Sequence, residues 1–381
     1  MKNFVLDEYL RLVEELVNID SGSRVRGGPA KVAAKMAELY RALGLSVQVL
    51  DGDNEYGPRL EIRSHPEREE IDLLLSGHMD TVFADGTAAE RPFRAENGRG
   101  YGPGVMDMKA GLVSMYYLVR ALTEEKTDLS FCVALNSDEE ISSLRSKDWI
   151  AGLARKSAYA FVMEPGRKNG EYVSERKGLA RYQVTMKGIA AHAGIAPQDG
   201  ASAIHEMAHF ITEIIALNAY DRGTSVNVGV ISGGNTANVV CDLAECQIDT
   251  RFDDIGESQK IEAKLEALKQ APRDSRVSIS VTRAGFRPPM RATDKTTALL
   301  EQMKAEGERL GMEVKWVKTG GGSDGNFIAF EGCTVVDGMG PAGEGAHSSN
   351  EVLHIDTIEK RLELAFNMAR ELERQKKKAL N

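Results

Sequence analysis

The spacing of apolar residues predicts alternating helices and strands in the first half of the chain. Helical periodicity covers 29–43, 106–123 and 143–154, and strand-like runs cover 45–50, 59–64, 72–76, 129–135 and 158–163. This alternation is typical of a largely parallel, mixed sheet that is covered by helices. The same rhythm resumes near the C-terminus and ends in a long helix near 354–373.

The middle of the chain has a different order of elements. Strand patterns at 180–187, 225–232, 237–252 and 276–283 are interrupted by an apolar helix at 201–217 and a charged helix at 257–270. The order β-α-β-β-α-β is that of a split βαβ sandwich, which needs only about 110 residues. We therefore predict an α+β domain at 179–287 inserted into an α/β domain made of 1–178 and 288–381. Gly178 and Arg287-Pro288-Pro289 are plausible hinges.

Length and charge limit the classes of partner. The 381 residues suit two domains, and a net charge of −9 argues against nucleic acid or an anionic membrane as partner. Acidic residues interrupt the N-terminal segment, and no stretch approaches the roughly 20 apolar residues of a membrane span. We expect a cytoplasmic protein. The four cysteines agree with this compartment, and Cys241 and Cys246 lack the spacing of a zinc knuckle.

Polar residues that can bind metal follow three of the apolar strands. His78 and Asp80 come after Leu73-Leu74-Leu75, Asp138-Glu139-Glu140 after Phe131–Leu135, and Glu164 after Tyr159–Met163. Adjacent carboxylates at the mouth of a strand repel one another and need a cation or a proton between them. Ligands of open α/β sheets gather beyond the carboxyl ends of the strands, where these residues are predicted to lie.

Two glycine-rich segments add candidate ligands. Asp107 lies in Gly100–Lys109 at the start of a predicted helix, and His347 lies in Gly343–Glu351 before the last helix. Taken alone, Asp107 is equally consistent with a helix cap and His347 with a solvated loop. Together with His78, Glu140 and Glu164 at the strand ends, they give two histidines and three carboxylates without a thiol. That set suits a pair of zinc ions sharing one bridging carboxylate.

Five motifs, "SGHMDTV", "GYGPGVMDMKAG", "NSDEE", "MEP" and "GAHSSNE", occur in this order. In this order they resemble the co-catalytic di-zinc aminoacylase and carboxypeptidase family. That family includes glutamate carboxypeptidase, acetylornithine deacetylase, succinyl-diaminopimelate desuccinylase and carnosinase-type dipeptidases. The resemblance covers essentially the whole chain, and it implies that the inserted domain serves as a lid and as the contact of a homodimer.

The resemblance implies a metal ligand set. The cofactor would be two Zn²⁺ ions, with Co²⁺ or Mn²⁺ as substitutes. Asp107 would bridge the two ions, His78 and Glu164 would complete one site, and Glu140 and His347 would complete the other.

The resemblance also implies roles beside the ligands. Glu139 would be the general base for attack by a metal-bridging water, and Asp80 would orient His78. The peptide bond between Asp107 and Met108 would be cis. Asp138 is interpreted as a helix-capping or loop residue.

A second zinc motif lies in the predicted inserted domain. His205-Glu206-Met207-Ala208-His209 matches H-E-x-x-H. Thr212 and Ile215 stand where the extended pattern requires glycine and histidine. The apolar stripe of 201–217 favours a helix that packs against a sheet, so we do not assign metal chemistry to it.

The candidate substrate residues also follow from the resemblance. His192 in "AHAG" matches a lid histidine that polarises the scissile carbonyl. Asn238, Arg251, Arg287, Gly321 and Gly322 match substrate-binding positions. Arg287 in "GFRPPM" and the glycines of "TGGGSDGN" resemble the glutamate carboxypeptidase branch. The lysine of that branch has two candidates, Lys168 and Lys177.

These features predict a zinc-dependent hydrolase of the amide bond to a C-terminal or N-acylated amino acid, with glutamate favoured. The substrate would be a small peptide or an N-acyl amino acid. The alternatives are an N-acyl-amino-acid or acetylornithine-type deacylase, a dipeptidase, or a metal-binding protein without catalysis.

Overall fold

The computed structural model describes residues 3–50 and 56–380. These residues form two compact units. The first unit contains the described residues up to Glu175, then Met290–Thr319 and the chain from Ser323 onward. The second unit contains Arg176–Pro289 and Gly320–Gly322.

Helices and strands alternate through most of the chain. The helices are α1 (Leu6–Val17), α2 (Gly28–Ala42), α3 (Thr87–Glu90), α4 (Ala110–Glu124), α5 (Lys147–Ala154), α6 (Ala203–Ile215), α7 (Ile255–Gln270), α8 (Asp294–Arg309), α9 (Gly325–Phe330) and α10 (Ile358–Leu380). The strands are β1 (Ser46–Leu50), β2 (Arg59–Arg63), β3 (Ile71–His78), β4 (Arg94–Glu96), β5 (Arg99–Tyr101), β6 (Phe131–Asn136), β7 (Ser157–Val162), β8 (Tyr172–Arg176), β9 (Gly178–Lys187), β10 (Ser225–Gly233), β11 (Leu243–Phe252), β12 (Ser278–Arg287), β13 (Trp316–Thr319), β14 (Thr334–Val336), β15 (Gly343–Glu344) and β16 (Val352–His354).

The main sheet of the first unit has the strand order β1-β2-β6-β3-β7-β14. Strands β6, β3, β7 and β14 are parallel to one another, while β2 pairs antiparallel with both β1 and β6. The sheet is therefore mixed and largely parallel, which confirms the predicted fold class.

Burial on both faces explains why the central strands read as continuous apolar runs. In β6, Phe131, Val133 and Leu135 belong to one apolar cluster, while Cys132 and Ala134 belong to another. A sheet that is covered on both faces leaves only its strand ends available for polar chemistry.

A small second sheet of the first unit has the order β15-β16-β5-β4. Strand β16 pairs antiparallel with β5, so that Val352 lies opposite Tyr101. This pairing places the segment after Gly343–Glu344 against the segment that leads into Asp107. Strand β13 pairs with β8 in a two-stranded sheet.

The second unit follows the predicted order β9-α6-β10-β11-α7-β12. Its four strands form an antiparallel sheet in the order β10-β11-β9-β12, with its own apolar cluster. Compared with the predicted boundaries 179–287, the unit begins three residues earlier and ends two residues later, and it also includes Gly320–Gly322.

Several element boundaries differ from the sequence predictions. The helix predicted from 106 begins at Ala110, because Val105–Lys109 forms an irregular turn. The helix predicted from 143 begins at Lys147, and the strand predicted from 237 begins at Leu243. Among residues 3–50 and 56–380, no helix is both long and apolar enough to cross a membrane.

Candidate metal centre

Three neighbouring parallel strands bring the predicted ligands to one edge of the main sheet. His78 is the last residue of β3 and lies opposite Asn136, the last residue of β6. Glu139 and Glu140 follow β6, and Glu164 follows β7 by two residues. The carboxyl ends of parallel strands meet at one edge, so residues distant in sequence come together there.

The carboxylate of Asp107 lies between two imidazoles. His78 Nε2 is 3.1 Å from Asp107 Oδ1 and 3.6 Å from Glu164 Oε1. His347 Nε2 is 3.2 Å from Asp107 Oδ2 and 3.1 Å from Glu140 Oε2. Each oxygen of Asp107 thus faces a different histidine, which is the arrangement required of a shared ligand.

The ligand atoms converge in two overlapping groups. Single donor atoms of His78, Asp107 and Glu140 lie within 4.8 Å of one another, and so do those of His78, Glu139 and Glu164. The half-buried Glu139 therefore lies beside the cluster, next to Glu164, rather than away from it.

The electrostatics of the cluster call for a cation. Burial, followed by repulsion from Asp107, raises the pKa of Glu164 well above its usual range. Burial also raises the pKa of Glu140, despite the imidazole of His347 nearby. Glu140 Oε1 is buried and has no hydrogen-bond partner among the described residues. Imidazole nitrogens and carboxylate oxygens are common zinc ligands, so the side chains fit such an ion.

Asp80 contacts both parts of the site. His78 Nδ1 lies 3.0 Å from the Asp80 carbonyl oxygen and 3.4 Å from its carboxylate. The carboxylate accepts hydrogen bonds from the backbone N–H groups of Glu139 and Glu140, both at 3.2 Å, and from Ser23 Oγ at 2.7 Å. Asp80 therefore holds the turn that carries the base and one ligand, in addition to its predicted contact with His78.

The turn that carries Asp107 has an unusual backbone. Gly104 has φ +70°, and a Cβ at this position would lie 2.5 Å from the side chain of Thr81. Only glycine fits such a conformation without strain. The Asp107–Met108 peptide bond is cis, as the sequence resemblance implied.

Asp138 is the first acid of "NSDEE" and anchors the loop that leads into α5. Its carboxylate accepts hydrogen bonds from the backbone N–H groups of Arg145 and Ser146, at 2.7 and 3.3 Å, and from Ser146 Oγ. Burial raises its pKa. These donors precede Lys147, the first residue of α5, so the contacts agree with the interpretation of Asp138 as a loop residue.

Glu206 of the second zinc motif is occupied by backbone contacts. It is 4% exposed, and its carboxylate accepts hydrogen bonds from the N–H groups of Arg273 and Asp274 at 3.0 and 3.2 Å. His205 lies exposed on α6. The buried glutamate thus anchors a loop within the second unit, which supports the packing interpretation of this helix.

Three arginines of the second unit surround Gly320–Gly322. Arg251 pairs with Asp249 at 2.7 Å, and its guanidinium donates to Gly320 O at 3.0 Å. Arg176 donates to Gly321 O at 3.1 Å. Arg287 is 3% exposed, and a Cβ on Gly322 would lie 2.9 Å from its Cδ. The structure therefore brings the predicted Arg251, Arg287, Gly321 and Gly322 together.

His192 and Asn238 lie together elsewhere in the second unit. Both are exposed, His192 pairs with Val239 in an isolated bridge, and the N–H of Ala193 donates to Asn238 O at 2.9 Å. Their roles toward substrate stay predictions.

Both candidate lysines have partners within their own units. Lys168 Nζ lies 2.5 Å from Glu344 Oε2, and Lys177 Nζ donates to Gly223 O at 2.5 Å. Neither contact selects one of them as a substrate ligand.

Sequence reasoning missed Ser23, Arg176 and Glu351. Glu351 belongs to the quoted "GAHSSNE", and Arg176 adjoins Lys177, but the pattern around them shows no metal or substrate chemistry. Ser23 lies in a glycine- and arginine-rich loop without a motif. Only the fold shows what these side chains contact.

An α/β sheet whose strand ends present this donor set defines a metal-dependent hydrolase. The chain belongs to peptidase family M20/M25/M40, whose profile matches residues 74–371. It is 30% identical to carboxypeptidase G2 of a Pseudomonas species, over 95% of this chain and 89% of that protein. It is 25% identical to succinyl-diaminopimelate desuccinylase of Delftia acidovorans, over 96% of this chain and 98% of that protein.

A solved structure has the same fold. The M20 family metallo-carboxypeptidase Sso-CP2 of Sulfolobus solfataricus aligns with a TM-score of 0.77 at 18% identity, covering 96% of this chain and 99% of that chain. The predicted family is thus confirmed.

Proposed function

We propose that the protein is a two-zinc hydrolase that cleaves the amide bond to a C-terminal or N-acylated amino acid, with glutamate preferred. The observation that carries this proposal is the position of Asp107, whose two oxygens lie 3.1 and 3.2 Å from the Nε2 atoms of His78 and His347. A carboxylate in this position could be shared by two ions, which would supply Lewis acidity at one bond. Co²⁺ or Mn²⁺ would replace zinc at the same donors.

The ligands divide around the shared carboxylate. His78 and Glu164 would hold one zinc ion, and Glu140 and His347 the other. When bound, zinc supplies Lewis acidity, which activates the attacking water and polarises the scissile carbonyl.

Glu139 is the proposed general base. Its carboxylate reaches the edge of the cluster beside His78 and Glu164. Its backbone N–H donates to Asp80, which fixes the turn from which the side chain projects. Glu139 would accept a proton from the attacking water and return it to the leaving amine.

His192 is the proposed donor to the oxyanion. The N–H of Gly194 donates to His192 Nδ1 at 3.1 Å. Nδ1 is therefore an acceptor, and in this tautomer the ring proton lies on Nε2. An Nε2–H group is what is needed to stabilise negative charge on the carbonyl oxygen.

The arginines around Gly320–Gly322 are the proposed site for the substrate carboxylate. Guanidinium groups match carboxylates with two parallel hydrogen bonds, and glycines let the substrate approach the backbone closely. Arg287, which is buried, is the proposed contact for glutamate. The similarity to a protein named carboxypeptidase G2, over 95% of this chain, supports cleavage beside a C-terminal carboxylate over the acetylornithine-type deacylase alternative, whose relative covers 65% of this chain.

A homodimer through the second unit is also proposed. Strand β10 is an edge strand of its sheet, and its residues Val230 and Ile231 are 52% and 61% exposed. An exposed apolar edge strand is suited to pairing with a second copy. Sedimentation of wild type and I231K tests this: we expect a dimer and a monomer respectively, and a monomeric wild type would contradict it.

Hydrolysis of a substrate panel tests the function. The panel contains an acyl-glutamate, an acyl-aspartate, acetylornithine, a neutral acyl-amino acid and a dipeptide. Zinc-loaded wild type is compared with E139Q, and with E313Q as a matched control, since Glu313 is exposed and pairs with Lys315. We expect glutamate-selective hydrolysis that is lost only in E139Q.

Replacement of Arg287 tests the preference for glutamate independently of the hydrolytic mechanism. R287Q should lower kcat/KM for the acyl-glutamate far more than for the neutral acyl-amino acid. An equal loss on every substrate would refute the role of Arg287. No zinc-dependent hydrolysis of any amide would refute the proposed function.

A further inference from the structure

We infer that Glu351 is a positioning residue that fixes the shared ligand Asp107 to the loop carrying His347, so that both metal sites depend on one side chain. This inference rests on the proposed two-zinc function. It concerns a residue outside the predicted ligand set.

Glu351 accepts three backbone hydrogen bonds from the turn that carries Asp107. Its Oε1 accepts from the N–H groups of Met106 at 2.8 Å and Asp107 at 3.1 Å. Its Oε2 accepts from the N–H of Gly104 at 2.9 Å. The side chain is 2% exposed, so water does not compete for these donors.

The topology explains why a residue so distant in sequence reaches this turn. Glu351 immediately precedes β16, which pairs with β5, and the chain after β5 enters the turn within four residues. His347 lies four residues before Glu351. One short segment therefore provides a ligand for one metal site and holds the backbone of the ligand common to both.

Lys109 holds the same turn from its other end. Its buried Nζ donates to the carbonyl oxygens of Pro103 at 3.2 Å and Ile19 at 2.8 Å. The N–H groups of the turn thus point at the Glu351 side chain, while carbonyl oxygens at its start and in the chain after α1 point at the Lys109 nitrogen. This leaves the Asp107 backbone little freedom to move.

A carboxylate is the side chain that suits three donors. Glutamine has one amide oxygen, so at least one of the three N–H groups would face an NH₂ group and lose its acceptor. Because that loss loosens the turn beneath the shared ligand, both zinc sites should weaken together. Contacts of this kind around ligands change metal affinity by about 10- to 100-fold.

The test compares zinc binding by wild type, E351Q and E351D with that of E344Q. Glu344 lies in the same glycine-rich segment, but its carboxylate pairs with Lys168 and His354, which lie outside the turn. Zinc stoichiometry is measured by elemental analysis, and the two affinities by competition with a chromophoric chelator. Urea unfolding of the metal-free proteins shows whether a variant loses fold stability in addition to zinc affinity.

We expect wild type and E344Q to bind two zinc ions with the same affinities. E351Q should bind both about 10- to 100-fold more weakly. Should E351Q fail to fold, E351D is judged by the same criteria, since it keeps the charge but shortens the reach by one methylene.

Three outcomes can be told apart. Two unchanged affinities in the Glu351 variants would overturn the inference, and so would a loss confined to one site. A wild type that binds fewer than two zinc ions would instead refute the proposed function.

Discussion

The replacement of Asp80 by asparagine tests how the base and its neighbouring ligand are held. In the wild type, one carboxylate accepts from the N–H groups of both Glu139 and Glu140, each at 3.2 Å. Ser23 Oγ also donates to it, at 2.7 Å. Asparagine has only one acceptor oxygen, so in either amide orientation one backbone N–H faces an NH₂ group.

The magnitude follows from the burial of this group. Asp80 is 1% exposed, and a buried donor without an acceptor costs about 1–3 kcal/mol. We therefore expect D80N to lower the free energy of unfolding of the metal-free protein by about 1–3 kcal/mol. Because the turn also positions Glu139 and Glu140, kcat/KM should fall about 10- to 100-fold.

Ser23 provides the matched control. S23A removes one donor to Asp80 but leaves both backbone contacts in place, so it should cost about 1 kcal/mol of stability with little effect on kcat/KM. Urea unfolding and steady-state hydrolysis measure both quantities. Equal losses of kcat/KM in S23A and D80N, or an unchanged D80N, would refute the role assigned to the Asp80 carboxylate.

Three further predictions concern buried groups away from the reaction. Buried Arg361 donates to the carbonyl oxygens of Gly170, Gly338 and Gly340, so R361M should lower the free energy of unfolding by about 3 kcal/mol or more. R361K should recover part of the loss in urea unfolding, and an unchanged R361M would contradict this. E206A should lower the free energy of unfolding by about 1–3 kcal/mol because two backbone N–H groups lose their acceptor, while zinc content and kcat stay unchanged. Loss of a zinc ion in E206A would instead show that the H-E-x-x-H motif binds metal. Burial raises the pKa of the Cys132 and Cys333 thiols to about 12. Both thiols should therefore react with a disulfide reagent at pH 8 only after the protein unfolds. Fast labelling of either thiol in the native protein would refute this prediction.

Much of the metal centre could be predicted because a local sequence pattern identifies several of its ligands. His78 and Glu164 each end an apolar run that the sequence shows clearly, and Glu140 lies in an acidic cluster whose repulsion is evident without a structure. The order of the central strands is a long-range property, which no local pattern reveals. The strand order β1-β2-β6-β3-β7-β14 was therefore not predicted.

The missing parts depend on backbone groups or on tertiary pairing. Glu351 acts on the N–H groups of residues 104–107, and backbone donors leave no trace in a sequence. The helix α4 begins later than predicted because Asp107 and Met108, inside the turn Val105–Lys109, have non-helical backbone angles, although the side chains of this segment have helical periodicity. Arg176 was missed because its partner, Gly321, lies 145 residues away.

The central claim is that Asp107 is shared by two zinc ions, and zinc content measures this most directly. Zinc is determined after equilibrium dialysis for wild type and for H347A, which removes a ligand from one proposed site only. We predict two ions for wild type and one for H347A, with hydrolysis lost in the variant. One ion in both proteins, or two in both, would contradict the shared-ligand account.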